Sequence, residues 1–289
     1  MELTERSKGL IIILIAVISF VPDSLFIKII QTSTLNLTFW RSFLAGTCII
    51  LVLTMIQRGN PIKEIAKAGW AGYAYIFLLA ISSLLFVYAI RTTSVANTLF
   101  IISTSPMFAA IASRILLKEP LNTRLIWAIA LSMVGIGLIT SGSLTIRTDA
   151  IKGDLAALLV AVMIAIKHTV ARKAKAFSMV PAAGIAHLLL ALSLFIFADV
   201  SFMAMRDMIY VIILGSFFIP VATSLMALGP RYLPAPEVAL IILLEAILAP
   251  LLVWAVLGEE PTKLAIAGGS LVIVVLAVYN YYQLKYFSM

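Results

Sequence analysis

Apolar residues in this chain form long runs that short polar stretches interrupt. Runs of about 17–25 residues have the length that an α-helix needs to cross a bilayer. Ten such runs lie near residues 9–30, 36–56, 69–90, 95–116, 122–141, 153–172, 180–198, 208–228, 235–257 and 264–284. The pattern predicts an all-α membrane protein of ten transmembrane helices, and no segment is suited to a soluble domain.

The composition agrees with a membrane protein. Of the 289 residues, 63% are hydrophobic and 12% are charged, whereas soluble proteins carry about 45–50% apolar and about 25% charged residues. The net charge of +8 does not indicate a nucleic-acid partner, because the basic residues lie in short clusters between apolar runs. The single cysteine, Cys48, excludes an intrachain disulfide framework.

Two apolar runs match at a fixed offset of 140 positions. Leu117-Lys118-Glu119 closes the earlier run, and Leu257-Gly258-Glu259 closes the later one. Arg231 likewise follows Arg91 by 140 positions. An offset that holds across an arginine, an apolar run and a glutamate indicates an internal duplication.

The duplication divides the chain into residues 1–145 and 146–289, each with five predicted spans. An odd number of spans makes the two halves insert with opposite orientations. Such inverted repeats are typical of transporters, whose substrate site lies near the membrane midplane between the halves.

Ten spans place both termini on the same side of the membrane. Thirteen lysines and arginines lie in the segments on that side, and six lie in the segments on the other side. The positive-inside rule therefore places both termini in the cytoplasm, in a multi-pass protein of the inner membrane.

Four parts of the sequence carry a family resemblance: Phe39–Gly46 with its R-x-x-x-A pattern, Ala89–Pro120, Gly153–Leu155 with Ala171–Lys173, and Leu228–Pro261. They are similar to the second, fourth, sixth and ninth helices of the drug/metabolite transporter superfamily, specifically its EamA-type ten-helix exporters. The resemblance implies two inverted five-helix halves around a central cavity. It also implies export of amino acids, other metabolites or toxic compounds.

Two positions depart from the family pattern. The proline usual after the ninth-helix glutamate is absent, since Ala246 stands there and Pro250 comes about one turn later. Any kink is therefore expected to be displaced. The pair Lys167-His168 replaces the more usual aromatic or aliphatic residues, so a neutral aromatic substrate is less expected.

Glu245 lies near the middle of the apolar run Val238–Leu257. A charge at this depth costs roughly 2.5–3.5 kcal/mol on insertion scales, so a functional role is expected. A low dielectric favours the neutral carboxyl, which makes proton uptake near neutral pH possible. Glu245 is thus a candidate for proton coupling, cation binding or substrate binding. The alternative is a protonated glutamate that is hydrogen-bonded between helices.

Asp23 and Arg41 are candidates in the first two helices. Arg41 can pair with Asp23, bind a substrate carboxylate, or extend to the outer interface, and a structural pair with Asp23 is favoured. Asp23 follows Pro22, which can break the helix and direct carbonyls into a cavity. The alternative for Asp23 is a helix-end turn that is wetted from outside.

Lys167 and His168 would give the cavity a cationic wall suited to an anionic or zwitterionic substrate. Adjacent helix positions point about 100° apart, so only one of the two, preferably His168, is expected to face the cavity. Lys167 can instead extend to the interface. His187 is expected to be a satisfied structural histidine. Neutral hydrogen bonds to substrate, or contacts between helices, are expected from Tyr88, Asn97, Ser103 and Ser105.

Catalytic and nucleotide-binding motifs such as H-E-x-x-H, G-x-S-x-G and a Walker loop are absent from the sequence. We therefore expect a non-enzymatic secondary transporter, monomeric or homodimeric, that needs no cofactor or metal and exports a small molecule by alternating access. Metabolite uptake is an alternative. An alternative of another class is a lipid-modifying membrane enzyme that uses His168, His187 and Glu245. A signalling or scaffold protein would need a soluble domain.

Overall fold

The structure, a computed structural model, describes residues 5–57, 61–93, 95–141, 151–197, 200–258 and 263–287. These residues form helices and no strand. The helices are α1 (Glu5–Ile29), α2 (Thr34–Gln57), α3 (Pro61–Ala68), α4 (Trp70–Thr92), α5 (Val95–Ile102), α6 (Ser105–Leu116), α7 (Thr123–Ser141), α8 (Ile151–Lys173), α9 (Val180–Phe197), α10 (Met205–Ile213), α11 (Ile219–Tyr232), α12 (Ala235–Ile242), α13 (Glu245–Leu257) and α14 (Lys263–Phe287), with a π-helical turn at Leu214–Phe218.

Seven helical segments of the described chain are long and apolar enough to cross a membrane. They are Glu5–Ile29, Thr34–Ile56, Trp70–Thr92, Thr98–Leu116, Ile151–Lys173, Met205–Tyr232 and Ala235–Val256. Three shorter apolar helices are Thr123–Leu138, Val180–Ile196 and Ile266–Tyr279. The all-α membrane fold is confirmed, and every predicted span coincides with one of these segments. The short helix α3 was not predicted, because its sequence follows a turn signal in a polar connection.

The two halves interlock across a pseudo-two-fold axis. Helix α1 packs on α11, and α4 packs on α8. Because α1 is equivalent to α8 and α4 is equivalent to α11, these are the same contact made twice. The contacts α2–α9 and α7–α14 map onto themselves. Contacts of this kind are what inverted repeats require, so the predicted pair of repeats is confirmed, whereas the count of five spanning helices in each half stays a prediction. The proposed boundary between residues 145 and 146 lies outside the described residues and stays a prediction.

Each half contains one helix that is broken at the same place. In the first half α5 ends at Ile102 and α6 begins at Ser105, and in the second α12 ends at Ile242 and α13 begins at Glu245. Each bound is shifted by the 140 positions that the sequence offset predicts. Tight turns close both breaks, since Thr104 N–H donates to the Ile101 carbonyl at 3.1 Å and Leu244 N–H donates to the Ile241 carbonyl at 3.1 Å.

The expected displacement of the second-half kink to Pro250 is wrong. Pro250 lies inside α13, which continues through it, and the break precedes Glu245. In the first half Pro106 occupies the first turn of α6. Backbone N–H groups in a first turn have no intrahelical acceptor, so the missing N–H of proline costs no hydrogen bond there. Ala246 holds the equivalent position in α13, so the second break keeps the geometry of its repeat without the proline.

Close packing between the repeats depends on glycine at the α7–α14 contact. A methyl group added to Gly135 would lie 2.7 Å from the Val272 side chain and 2.8 Å from the Gly268 carbonyl oxygen. A methyl group added to Gly137, two positions later, would have no atom of another helix within 4 Å. Gly135 therefore sets how closely the two backbones approach.

We predict that Gly135→Ala lowers the thermal unfolding temperature of the detergent-purified protein. The added methyl must push two backbones apart, and overpacking of this kind costs about 1–3 kcal/mol. The matched control is Gly137→Ala, which should be neutral or slightly stabilising because alanine favours a helix over glycine by about 1 kcal/mol. Equal stability of the two variants would contradict the assigned contact.

Candidate functional site

A central cavity of about 80 Å³ lies between the two repeats. Helices from both halves supply its walls, which are largely apolar. The polar side chains that line it are Asp23, Arg41, Ser82, Ser83, Lys167, His168, His187, Thr223 and Glu245.

Arg41 and Asp23 form a buried, bidentate ion pair on this wall. Arg41 Nε donates to Asp23 Oδ1 at 3.0 Å and Nη2 donates to Oδ2 at 2.5 Å. Arg41 Nη1 donates to Ser83 Oγ at 2.8 Å. The predicted pairing is confirmed.

Two other expectations for these residues are wrong. Arg41 does not extend to the outer interface, because Asp23 and Ser83 hold its guanidinium in the interior, where the side chain is 3% exposed. Asp23 does not lie in a wetted helix-end turn, because α1 continues through Pro22 and the Asp23 side chain is 0% exposed.

Lys167 and His168 both line the cavity, although only one of them was expected to face it. The cavity extends far enough around α8 for two positions about 100° apart to reach it. Lys167 does not extend to the interface either. Its ammonium lies 5.9 Å from the centre of the Tyr75 ring, and both residues are buried.

His187 is a cavity residue that the sequence reasoning missed. The expected satisfied structural histidine is wrong, because neither ring nitrogen of His187 has a hydrogen-bond partner among the described residues, and the same holds for His168. The available signal was the set of small, buried residues around it, Ala183, Gly184 and Ala186. Small residues mark helix faces that pack closely, so they indicate that His187 lies on an inward face.

Glu245 is the first residue of α13, directly after the break, and its side chain is partly exposed to the cavity. It also lines a second, smaller pocket with Ser103 and Leu243. Within the part of the chain that the structure describes, no side chain or backbone N–H donates a hydrogen bond to its carboxylate. A glutamate that is hydrogen-bonded between helices is therefore not observed there.

Among the other predicted hydrogen-bonding residues, Tyr88, Ser103 and Ser105 do not line the central cavity. Tyr88 packs in an apolar cluster of α4, α5 and α8. Ser105 is fully buried at the start of α6, with a hydroxyl that has no partner. Ser103 lines the small pocket and donates to the Leu99 carbonyl at 2.6 Å. Asn97 lies in α5, but its side chain is outside the described part of the structure.

The sequence matches the model of the EamA-like transporter family twice, over residues 7–141 and over residues 151–281. The chain belongs to the EamA-like transporter family. The two matches correspond to the two inverted halves, so the resemblance and the duplication are both confirmed. The family consists of membrane transporters and is not an enzyme family, and the protein is thus a multi-pass membrane transporter.

A crystal structure of another protein shares the fold of this transporter. It matches with a TM-score of 0.81 and covers 96% of this chain and 98% of its own, at 16% sequence identity. No curated protein sequence matches the chain.

Two arginines that the 140-position offset relates hold loops at opposite ends of this transporter. Arg91, at the end of α4, donates to the carbonyls of Ile30 at 2.7 Å and Thr32 at 2.8 Å in the α1–α2 connection. Arg231, at the end of α11, donates to the Lys175 carbonyl at 3.0 Å in the α8–α9 connection. Because the repeats are inverted, the same contact is made once at each end of the bundle.

An ion pair joins α1 to α12 at the end of the bundle that holds the N-terminus. Arg6 Nη2 in α1 lies 2.6 Å from Glu237 Oε2 in α12. Tyr279 in α14 donates its hydroxyl to Glu237 Oε1 at 3.0 Å. One carboxylate thus joins three helices.

We predict that Asp23→Asn and Arg41→Gln each destabilise the transporter by about 3–5 kcal/mol, because each leaves a buried charge without its partner. The double variant should be less destabilised than the sum of the two. Thermal unfolding in detergent measures this cycle. The control is Glu64→Gln in the exposed Glu64–Lys67 pair, where the effect should stay below about 1 kcal/mol. Additive effects of Asp23→Asn and Arg41→Gln would contradict the pair.

Proposed function

We propose that this protein exports a small metabolite by alternating access in exchange for protons, with Glu245 as the coupling carboxylate. The observation that carries the proposal is the placement of Glu245. It lies at a break in a membrane-embedded helix, it lines the central cavity, and no described residue donates a hydrogen bond to it.

Among the charged and titratable groups on the cavity wall, Glu245 is the acidic group that no described residue pairs with. The others are Asp23, Arg41, Lys167, His168 and His187. Asp23 and Arg41 neutralise each other through two short hydrogen bonds. The polar wall positions in α4 and α11 are the neutral Ser82, Ser83 and Thr223.

A single free carboxylate gives a physical basis for exchange. Either a proton or a positively charged group of the substrate can neutralise Glu245, but not both at once. Binding of a proton therefore weakens binding of such a substrate, and the reverse holds by thermodynamic linkage. Mutually exclusive binding at one group is what an antiporter needs.

The inverted repeats supply the second conformation. When the two halves exchange their conformations, the same cavity opens to the opposite side of the membrane. The ties at the two ends, Arg6–Glu237 at one and Arg91 with its loop carbonyls at the other, are the contacts that such a movement would break and remake.

Loop charges support the orientation of this cycle. The excess of lysine and arginine on the side of the termini favours a cytoplasmic location for both termini. Arg6–Glu237 would then close the cytoplasmic end. Protons that enter down their gradient across the inner membrane would drive the substrate out.

Uptake of an anion is the second candidate, and Lys167 is the observation that favours it. Within the described residues Lys167 has no acidic partner within ion-pair distance. A substrate that carries only negative charge would bind better when Glu245 is protonated. It would therefore move together with the proton and inwards.

We predict that Glu245→Gln abolishes proton-driven transport in proteoliposomes while it retains gradient-independent exchange of substrate. A panel of labelled amino acids, carboxylates and amines would be tested with and without a pH gradient. In the wild type, acidification of both compartments should raise the apparent KM, because protons compete at Glu245. The variant should lose this dependence and at least tenfold of the driven flux.

The matched control is Glu64→Gln on the surface helix α3, which should behave as the wild type does. Full gradient-driven flux in Glu245→Gln would remove the coupling role. Movement of substrate in the same direction as protons would favour uptake. Chemical turnover of lipid without any flux would overturn transport altogether.

A further inference from the structure

Three basic side chains line the cavity, and within the described part of the chain none of them has an acidic partner. Lys167 and His168 come from α8, and His187 comes from α9. The ring of Tyr75, over which the Lys167 ammonium lies, belongs to the same apolar cluster as Ala183 and Ala186, which flank His187. All three side chains therefore line the same cavity, and they come from two helices that both pack on α4.

All three side chains have unused hydrogen-bonding capacity. Neither nitrogen of His168 or His187 has a partner, and both residues are 1% exposed. Lys167 contacts the face of Tyr75 but no carboxylate within the described residues. An unpaired buried polar group costs about 1–3 kcal/mol, so a ligand that accepts hydrogen bonds here would recover this cost.

Charge and donor number define that ligand. Arg41 is already neutralised by Asp23, so Lys167 is the one cation on this wall without a fixed counter-ion among the described residues. A neutral imidazole offers one N–H donor, and the ammonium offers three. One positive charge with several donors matches a carboxylate, which carries one negative charge on two oxygens. A phosphate monoester carries about −1.5 to −2 and would need a second cation.

We propose that Lys167, His168 and His187 form a subsite for the carboxylate of the transported molecule. The assignment of this carboxylate to the cargo rests on the proposed function, whereas its binding does not. Lys167 and Glu245 make no ion pair with each other, although both line the cavity. Each of the two charges is therefore available to a different group of the bound molecule.

Binding to the purified protein in detergent tests the subsite without any transport. The probes are pairs of an acid and its amide, which differ in the carboxylate alone: alanine and alaninamide, lactate and lactamide, pyruvate and pyruvamide, and succinate and succinamide. Thermal unfolding against probe concentration gives an apparent affinity. We expect at least one acid to stabilise the wild type at least tenfold more strongly than its amide, with inorganic phosphate weaker than that acid.

Lys167→Gln should lose at least tenfold in affinity for that acid and leave the affinity for the amide unchanged. Lys167→Arg, which keeps the charge, should restore part of the preference, and His187→Gln should weaken it. The matched control is Lys173→Gln. Lys173 is also in α8 and also lies over an aromatic ring, with its ammonium 5.2 Å from the centre of Trp70, but it does not line the cavity.

Monodispersity and circular dichroism establish that each variant is folded, and Lys167→Met, which keeps the aliphatic stem, replaces Lys167→Gln if that variant is not. Equal affinity for acids and amides in the wild type, or a preference that survives removal of the Lys167 charge, would overturn the subsite. Acid-selective binding without proton-driven flux would instead contradict the proposed function and leave the subsite standing.

Discussion

The Arg41–Asp23 ion pair determines which charges the rest of the cavity can use. A guanidinium buried in a membrane protein needs a counter-ion and hydrogen-bond acceptors, and Asp23 together with Ser83 supplies both. The pair fixes α1, α2 and α4 to one another and contributes no net charge. Among the residues that the structure describes, Lys167 and Glu245 are left as the opposite charges on the wall without fixed partners. The chemical character of the cavity follows from this division between a structural pair and two free groups.

The two broken helices show how one backbone plan supports different chemistry in the two halves. The breaks before Ser105 and Glu245 are equivalent in position and in their tight turns. Ser105 is buried with an unpartnered hydroxyl, whereas Glu245 reaches the cavity with a carboxylate. The duplication therefore provides a symmetric frame, and single side chains at equivalent positions make the transporter asymmetric. The proposed coupling uses only one of the two positions.

Local sequence patterns predicted the features that depend on local physics. Apolar length located the spans, the 140-position offset located the repeats, and the capacity of a guanidinium to bind a carboxylate through two hydrogen bonds favoured the partnership of Arg41 with Asp23. The position of the second break was missed because Pro250 was expected to cause it, whereas the break lies before Glu245, at the position equivalent to the break in the first half. His187 was missed, and Lys167 and His168 were treated as exclusive, because the shape of a cavity between many helices is not encoded in any one helix.

The interlocking of the halves has a consequence for how the protein is made. Helices α1 and α4 of the first half pack on α11 and α8 of the second, so their contact faces stay uncovered until the second half leaves the ribosome. The first half must therefore wait in the bilayer as an incomplete bundle. Asp23 and Arg41 belong to the first two helices, which can enter as a hairpin with its charges already neutralised. Lys167 and Glu245 arrive later, when the first half is ready to shelter them from lipid.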